Sequence, residues 1–242
     1  MIRNKFNWSA LTRVFYVFVN PWKFFVAVIF RKAPREMTVR SPSGNLTISL
    51  RNFESLKTLF SVFCRGDYFT TKKSAGLFLD VGANIGIASV YFLSRHPGSS
   101  CVCVEPDLEN LEYLRRNMLR FGARFEIIDH AVDVRPGERT LYRSSDGKYS
   151  SLLPSERATI PQKVKAESFD GLLKRVSDRK MPVIVKLDVE GIEVDLVKSV
   201  ELDRHQQVRR LVCESTECAC WISRKHRVIV RNGYIEDIEF LD

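Results

Sequence analysis

Apolar and polar positions follow two periods along the chain, and each change of period marks an element. Leu77, Phe78 and Leu79 form an apolar run closed by Asp80. Gly82, Asn84 and Gly86 come next, and then Ile87, Val90, Tyr91 and Leu93 recur at helical spacing. That pattern predicts a buried strand, a tight glycine turn and a helix start. Upstream, Val39 and then Leu46, Ile48 and Leu50 alternate around Ser43-Gly44-Asn45, which predicts a β-hairpin over 37–50. A short amphipathic helix over 54–64 follows and ends at Arg65-Gly66-Asp67. Downstream, the pattern predicts strands over 100–104, 125–128, 139–142, 182–187, 208–212 and 234–241. Helices are predicted over 107–121, 168–176, 192–200 and 222–231. Asp107 caps the first of these and sets Leu108, Leu111, Leu114 and Met118 on one face. Residues 144–161 read as one long polar loop, of the kind that beside a site is usually functional or mobile. From residue 76 strands and helices alternate, which predicts an α/β fold with a mainly parallel sheet and helices on both faces.

The chain has 242 residues, enough for one α/β domain and a modest extension. A boundary is placed at Lys72-Lys73. It divides a basic, aromatic N-terminal part (1–72: helical segment, hairpin and short helix) from a domain over 73–242. The net charge of +9 is uneven, since residues 1–40 hold eight Lys/Arg against Glu36 alone. The domain itself is near neutral, which argues against a nucleic-acid-binding face. Residues 8–30 are apolar and aromatic but broken by Asn20-Pro21 and Lys23. Each half is shorter than a bilayer requires, and no signal-peptide cleavage site follows. Two readings of this segment compete. One is a helical pair packed on the domain or on an oligomer partner. The other is a peripheral membrane contact through residues 8–35, because aromatics interleaved with Arg and Lys suit an anionic lipid surface. The six cysteines are Cys64, Cys101, Cys103, Cys213, Cys218 and Cys220. Their spacing lacks paired C-x-x-C, so reduced thiols in a cytoplasmic protein, peripheral at most to the inner membrane face, are expected.

Acidic groups recur where strands end: Asp80, Glu105, Asp129 beside His130, Asp188 with Glu190, and Glu214. In a parallel sheet, ligands bind beyond those ends. The turn reads D-x-G-x-N-x-G and not G-x-G-x-x-G, with an acid where a pyrophosphate would be repelled. S-adenosylmethionine carries an amine and a sulfonium and no phosphate, so it suits this end better. Asp80 with Gly82, Ala83, Asn84 and Gly86 is expected to hold its methionine part. Glu105, which lies 23 residues past Gly82, is expected to accept hydrogen bonds from the ribose hydroxyls, and Asp129 and His130 to flank the adenine. Lys186, Asp188 and Glu190 alternate at a second strand end. Such a cluster orients a hydroxyl and takes its proton, or binds a divalent cation. Asp188 and Glu190 are the candidate bases, with Lys186 orienting and His130 in reserve, and no metal is assigned.

The stretches FLDVGANIGIASVYF, VEPDLENLEYLRRNM and VIVKLDVEGIEVDLVKS occur together and in order. They resemble the FkbM family of S-adenosylmethionine-dependent methyltransferases. The resemblance implies a class I methyltransferase (Rossmann-like) fold with a seven-stranded sheet and a terminal antiparallel strand. It also implies methyl transfer to a hydroxyl of a small molecule, sugar or glycan. By position, Asp80, Gly82, Asn84 and Gly86 match the family's cofactor loop, Glu105 its ribose acid, and Asp188-Glu190-Gly191 its second motif. Ser150-Ser151-Leu152 resembles the serine-rich segment before its fourth strand. Little sequence follows the last strand, and the basic aromatic N-terminus is outside the shared motifs. Two rivals remain: a nucleotide-dependent oxidoreductase, whose G-x-G-x-x-G turn is absent here, and a non-catalytic membrane-associated partner in glycan assembly. Oligomeric state is left open.

Overall fold

A computed structural model describes residues 8–68, 76–144, 150–154, 156, 159–231 and 234–241. The boundary placed at Lys72-Lys73 and part of the 144–161 loop lie outside them. In chain order the elements are α1 (Trp8–Val17), α2 (Pro21–Phe30), β1 (Glu36–Ser41), β2 (Gly44–Ser49), α3 (Phe53–Phe60), β3 (Leu77–Val81) and α4 (Ile87–Arg95). Then come β4 (Ser100–Val104), α5 (Leu108–Met118), β5 (Phe125–Ile128), β6 (Ala131–Asp133), β7 (Gly137–Arg143), β8 (Ser150–Ser151), β9 (Ile160–Ser168) and α6 (Phe169–Ser177). The rest are β10 (Val183–Leu187), α7 (Glu193–Lys198), β11 (Val208–Cys213), β12 (His226–Arg231) and β13 (Ile235–Phe240).

The main sheet has seven strands in the order β12-β13-β11-β10-β3-β4-β5. β10, β11, β3, β4 and β5 pair in parallel, and β13 runs antiparallel to both of its neighbours. A parallel sheet flanked by crossover helices, closed by one reversed strand that is last in the chain, is the class I methyltransferase arrangement expected from the sequence. Its interior strand β3 is buried throughout, as a sheet covered on both faces requires. Leu77, Leu79 and Val81 enter one core with Leu172, Leu173 and Leu196. Phe78 enters the other with Val90, Leu93, Leu111 and Leu114. Local signals set the helix starts. Asp107 Oδ1 accepts from the N–H groups of Glu109 and Asn110, and Ser168 Oγ from that of Gly171.

The N-terminal pair is set by Asn20, whose side chain accepts from Lys23 N, and by Pro21 in the first turn of α2. It packs on the domain by one face. Val14, Phe18, Phe24 and Ala27 are buried with Val39, Leu46 and Ile48 of the hairpin, and Phe24 stacks on Phe18 and on Phe60 with centroids 5.3 Å apart in each case. Among the described residues no helix is long and apolar enough to cross a membrane.

Three expectations need correction. The helix expected over 222–231 is the strand β12, paired antiparallel with β13. Val228, Ile229 and Val230 are three β-branched residues in a row, and their stiffness favours a pleated strand against an open sheet edge. The long loop over 144–161 carries β8 and the start of β9, which join β6 and β7 in a four-stranded mixed sheet. Only Val164 and Ala166 of β9 face its core, too faint an apolar alternation to announce a strand. Finally, Cys213 and Cys218 are joined as a disulfide, their Cα atoms 6.8 Å apart, where reduced thiols were expected. Cys213 ends β11 and the following turn brings the chain back over it. Cys64, Cys101 and Cys103 are free and buried.

Candidate active site

The strand register builds the site. β3 and β10 are parallel neighbours in which Asp80 stands opposite Lys186. Alternation therefore puts both side chains on the same face of the sheet. Both are almost fully buried, and Lys186 Nζ lies 3.0 Å from Asp80 Oδ1. The same ammonium is 3.2 Å from Asp188 Oδ2, just past the end of β10, and donates to the carbonyl of Gly82 at 2.9 Å. Asp80 Oδ2 accepts from Ser89 Oγ of α4 at 2.6 Å. Burial alone would lower the Lys186 pKa, but the charges of Asp188 and Asp80 hold it above the ordinary lysine value. A charge this deep is tolerated only because it is paired and hydrogen-bonded.

The glycine turn lies directly against this clamp. Gly82 has φ +78°, and a Cβ there would sit 1.7 Å from the carbonyl oxygen of Asp188. The two strand ends thus touch through backbone, and only glycine fits. The N–H groups of Gly82 and Ala83 donate to the Val104 carbonyl at 3.0 and 2.9 Å. Asn84, itself at φ +51°, donates its N–H to Glu105 Oε2 at 2.7 Å. Glu105 Oε1 accepts from Asp107 N at 2.8 Å. Burial pushes the Glu105 carboxyl up to about 7, against the pull of those backbone donors.

These parts line a cavity of about 340 Å³, the size of a small-ligand site. Gly82, Asn84, Glu105 and His130 line it, together with Asp188, Glu190 and Glu214. The three carboxylates each bring an oxygen within 4.8 Å of the others. Burial and the neighbouring Asp188 charge push Glu214 up to about 9, so it is a neutral acid near pH 7 that hydrogen-bonds Asp188. Burial would raise Asp188 as well. Lys186, together with hydrogen bonds from Glu214 and Tyr68, holds it below the usual carboxylate range instead. Hard oxygen donors at this spacing suit a divalent cation in type. Here the Lys186 ammonium and the Glu214 proton already neutralise much of the cluster's charge.

The sequence-predicted residues divide accordingly. Gly82, Ala83, Asn84, Glu105, His130, Lys186, Asp188 and Glu190 meet at the cavity. Asp80 does not reach it: its carboxylate is fully buried and engaged by Lys186 and Ser89, so it positions the turn from behind instead of touching a ligand. Gly86 is a packing position, where a Cβ would sit 2.6 Å from Leu114 Cδ1. Asp129 points to solvent with 62% of its side chain exposed, 3.7 Å from His130 Nε2. Glu190 is not on the strand face that alternation implied. β10 ends at Leu187, and Glu190 takes a left-handed conformation at φ +58° while its carbonyl accepts from Ser151 Oγ at 2.8 Å. Ser151 of the serine-rich segment therefore braces the second motif.

Sequence reasoning gave no role to Tyr68 or to the rim formed by Arg65, Asp67 and Tyr234. Arg65 donates to Asp67 Oδ1 at 2.9 Å and to the Tyr234 hydroxyl at 2.7 Å. Nor did it give a role to Glu214, whose place after the strand 208–212 was the available signal.

Residues 80–224, more than half of the chain, match the profile of the Methyltransferase FkbM domain. A curated relative, the methyltransferase sdnD of Sordaria araneosa, is 25% identical over 170 residues. That match covers 57% of this chain and 66% of the relative, just under two thirds of its length. Among solved structures, a methyltransferase from Geobacter sulfurreducens gives a TM-score of 0.39 at 14% identity, over 70% of this chain and 73% of that one. A tRNA (uracil-54, C5)-methyltransferase of Pyrococcus abyssi, in complex with S-adenosyl-L-homocysteine, gives 0.40 at 13% identity, over 87% of this chain and 45% of that one. Superposition at this level adds nothing to the fold assignment, which stands on strand order and register.

A methyl group at position 82 has no room. Gly82→Ala is expected to lose at least about 2 kcal/mol of stability, since a left-handed φ and a backbone clash combine there. A urea midpoint unchanged from wild type would show that the contact between the strand ends is not needed.

Proposed function

The chain belongs to the FkbM methyltransferase family, and from that premise we propose that it moves the methyl group of S-adenosylmethionine to a hydroxyl acceptor, a sugar, glycan or related natural product. The chemistry of the lining fits that cofactor. Carboxyl groups of Glu105, Asp188, Glu190 and Glu214 surround the turn, and they suit an amine, a sulfonium and a diol where a pyrophosphate would be repelled. When bound, S-adenosylmethionine supplies an electrophilic methyl group on a sulfonium.

The residues of this chain would do the rest. The backbone of 82–86 lets a ligand approach closely, and Glu105 is an acceptor for paired hydroxyls. The observation that carries the reading is the ionised Asp188, whose carboxylate opens on the cavity while Lys186 fixes it from behind. An alcohol oxygen that gains a methyl cation becomes a strong acid, so a carboxylate below the usual range still takes its proton. Glu214 and Tyr68 both hydrogen-bond Asp188, which orients it and keeps its charge. Alignment of hydroxyl, methyl and leaving sulfur in one cavity supplies much of the acceleration. The saccharide class of the acceptor rests on the family resemblance.

The test is transfer of a labelled methyl group to a panel of glycosides and glycans. Label in an ether linkage supports the proposal, and label confined to nitrogen or carbon overturns the hydroxyl assignment. Asp188→Asn is expected to lower kcat by on the order of 10²–10⁴ at saturating cofactor. An unchanged kcat would move the base elsewhere in the cluster.

Glu105 adds a pH dependence. Hydroxyl donors favour its ionised form, so binding lowers a carboxyl pKa that stands at about 7 and releases a proton. Cofactor affinity is therefore full above that pH and falls as pH drops through 7, by at most about tenfold per unit. Calorimetry near neutral pH in buffers of different ionisation enthalpy should register the released proton. Glu105→Gln should abolish that dependence.

A further inference from the structure

We infer that the outer face of α1 and α2 is a docking surface for an anionic lipid bilayer. The helix α2 is apolar nearly all round, yet only one side of it is covered. Phe24 and Ala27 are buried against the domain. On the opposite side, Trp22, Val26 and Ile29 recur at i, i+4 and i+7 and are 68%, 53% and 73% exposed. Phe30, next to Ile29, is also 73% exposed. A helix apolar on all sides is normally buried on all sides, so the open face lacks its partner. The patch continues onto α1, where the Phe15 ring meets Trp22 at 6.1 Å and Phe25 at 5.6 Å. Contiguous apolar surface of this kind, rimmed by polar groups, marks an interaction site.

The rim chooses the occupant. Lys23, Arg31, Lys32 and Arg35 flank the patch, and no Asp or Glu occurs before Glu36. A second copy seated on the same face would bring these cations together, because a two-fold interface matches each patch with itself. An anionic headgroup layer meets them with opposite charge, while Trp22 and the aliphatic side chains enter the acyl boundary. Each helix has ten residues, so the pair lies on a bilayer and does not cross it. The surface also lies close to the cavity. The π-turn Ser61–Arg65 follows α3, and Arg13 of α1 donates to its Cys64 carbonyl at 3.2 Å. Ser61, Val62 and Arg65 of the same turn line the cavity.

The experiment is cosedimentation of the full chain with vesicles of phosphatidylcholine alone, or with about one third phosphatidylglycerol. Binding is expected to the anionic vesicles at low salt and to weaken as salt rises. The charge variant Lys23→Glu/Arg31→Glu/Lys32→Glu should lower partitioning on the order of a hundredfold or more, from about 1 kcal/mol for each basic residue lost. The variant Trp22→Gln/Ile29→Gln should lose binding while it keeps the wild-type urea midpoint, because both side chains are exposed. Failure of the wild type to pellet with anionic vesicles overturns the proposal. So does a wild-type dimer in sedimentation velocity that Trp22→Gln/Ile29→Gln converts to monomer. None of these readouts depends on methyl transfer.

Discussion

One buried cation holds the site together. Lys186 lies between Asp80 and Asp188 and donates to the Gly82 carbonyl, so a single ammonium joins two strand ends and the glycine turn. Removing its charge would leave two carboxylates facing each other at low dielectric, a cost of several kcal/mol. The clamp follows directly from register. Parallel pairing of β3 with β10 sets Asp80 beside Lys186, and the contact between Gly82 and the Asp188 carbonyl brings the turn against the second motif. Everything the cavity offers chemically, an ionised Asp188 above all, depends on this arrangement.

Much of this was legible in the sequence because periodicity and strand-end acids are local signals. Leu77–Val81, with its glycine turn and helix, could be read from fewer than twenty residues, and so could the cap at Asp107. The resemblance to a family rested on the same stretches. What escaped the reading was tertiary. Nothing local distinguishes an Asp80 that faces a ligand from one that faces Lys186, since register decides it. The strand β12 looked helical because 222–231 was read without the open edge of β13 that recruits it. The weak alternation of β9 hid a strand whose value lies in its pairing with β6 and β7. Glu190 left its expected face because β10 stops before it and Ser151, a residue from a distant strand, fixes its carbonyl.

The N-terminal extension looks in two directions. Its inner face completes the domain core through Phe18 and Phe24, which resolves why an aromatic segment too short to span a bilayer is part of the fold. Its outer face keeps large apolar side chains in water beside a row of cations, a combination that folding alone does not require. The π-turn after α3 touches both α1 and the cavity, so the extension and the catalytic centre share a wall.

The clamp is tested most directly by calorimetric titration of S-adenosylmethionine into the wild-type chain and into Asp80→Asn/Lys186→Met, a pair that removes both charges of the β3–β10 register and leaves Asp188 at the cavity without its cation. Binding by the wild type that weakens by more than about tenfold in the folded double variant, a loss above about 1.4 kcal/mol, is the expected result. Equal affinity in the two proteins would contradict the central role given to Lys186, and absence of binding by the wild type would contradict the cofactor assignment itself.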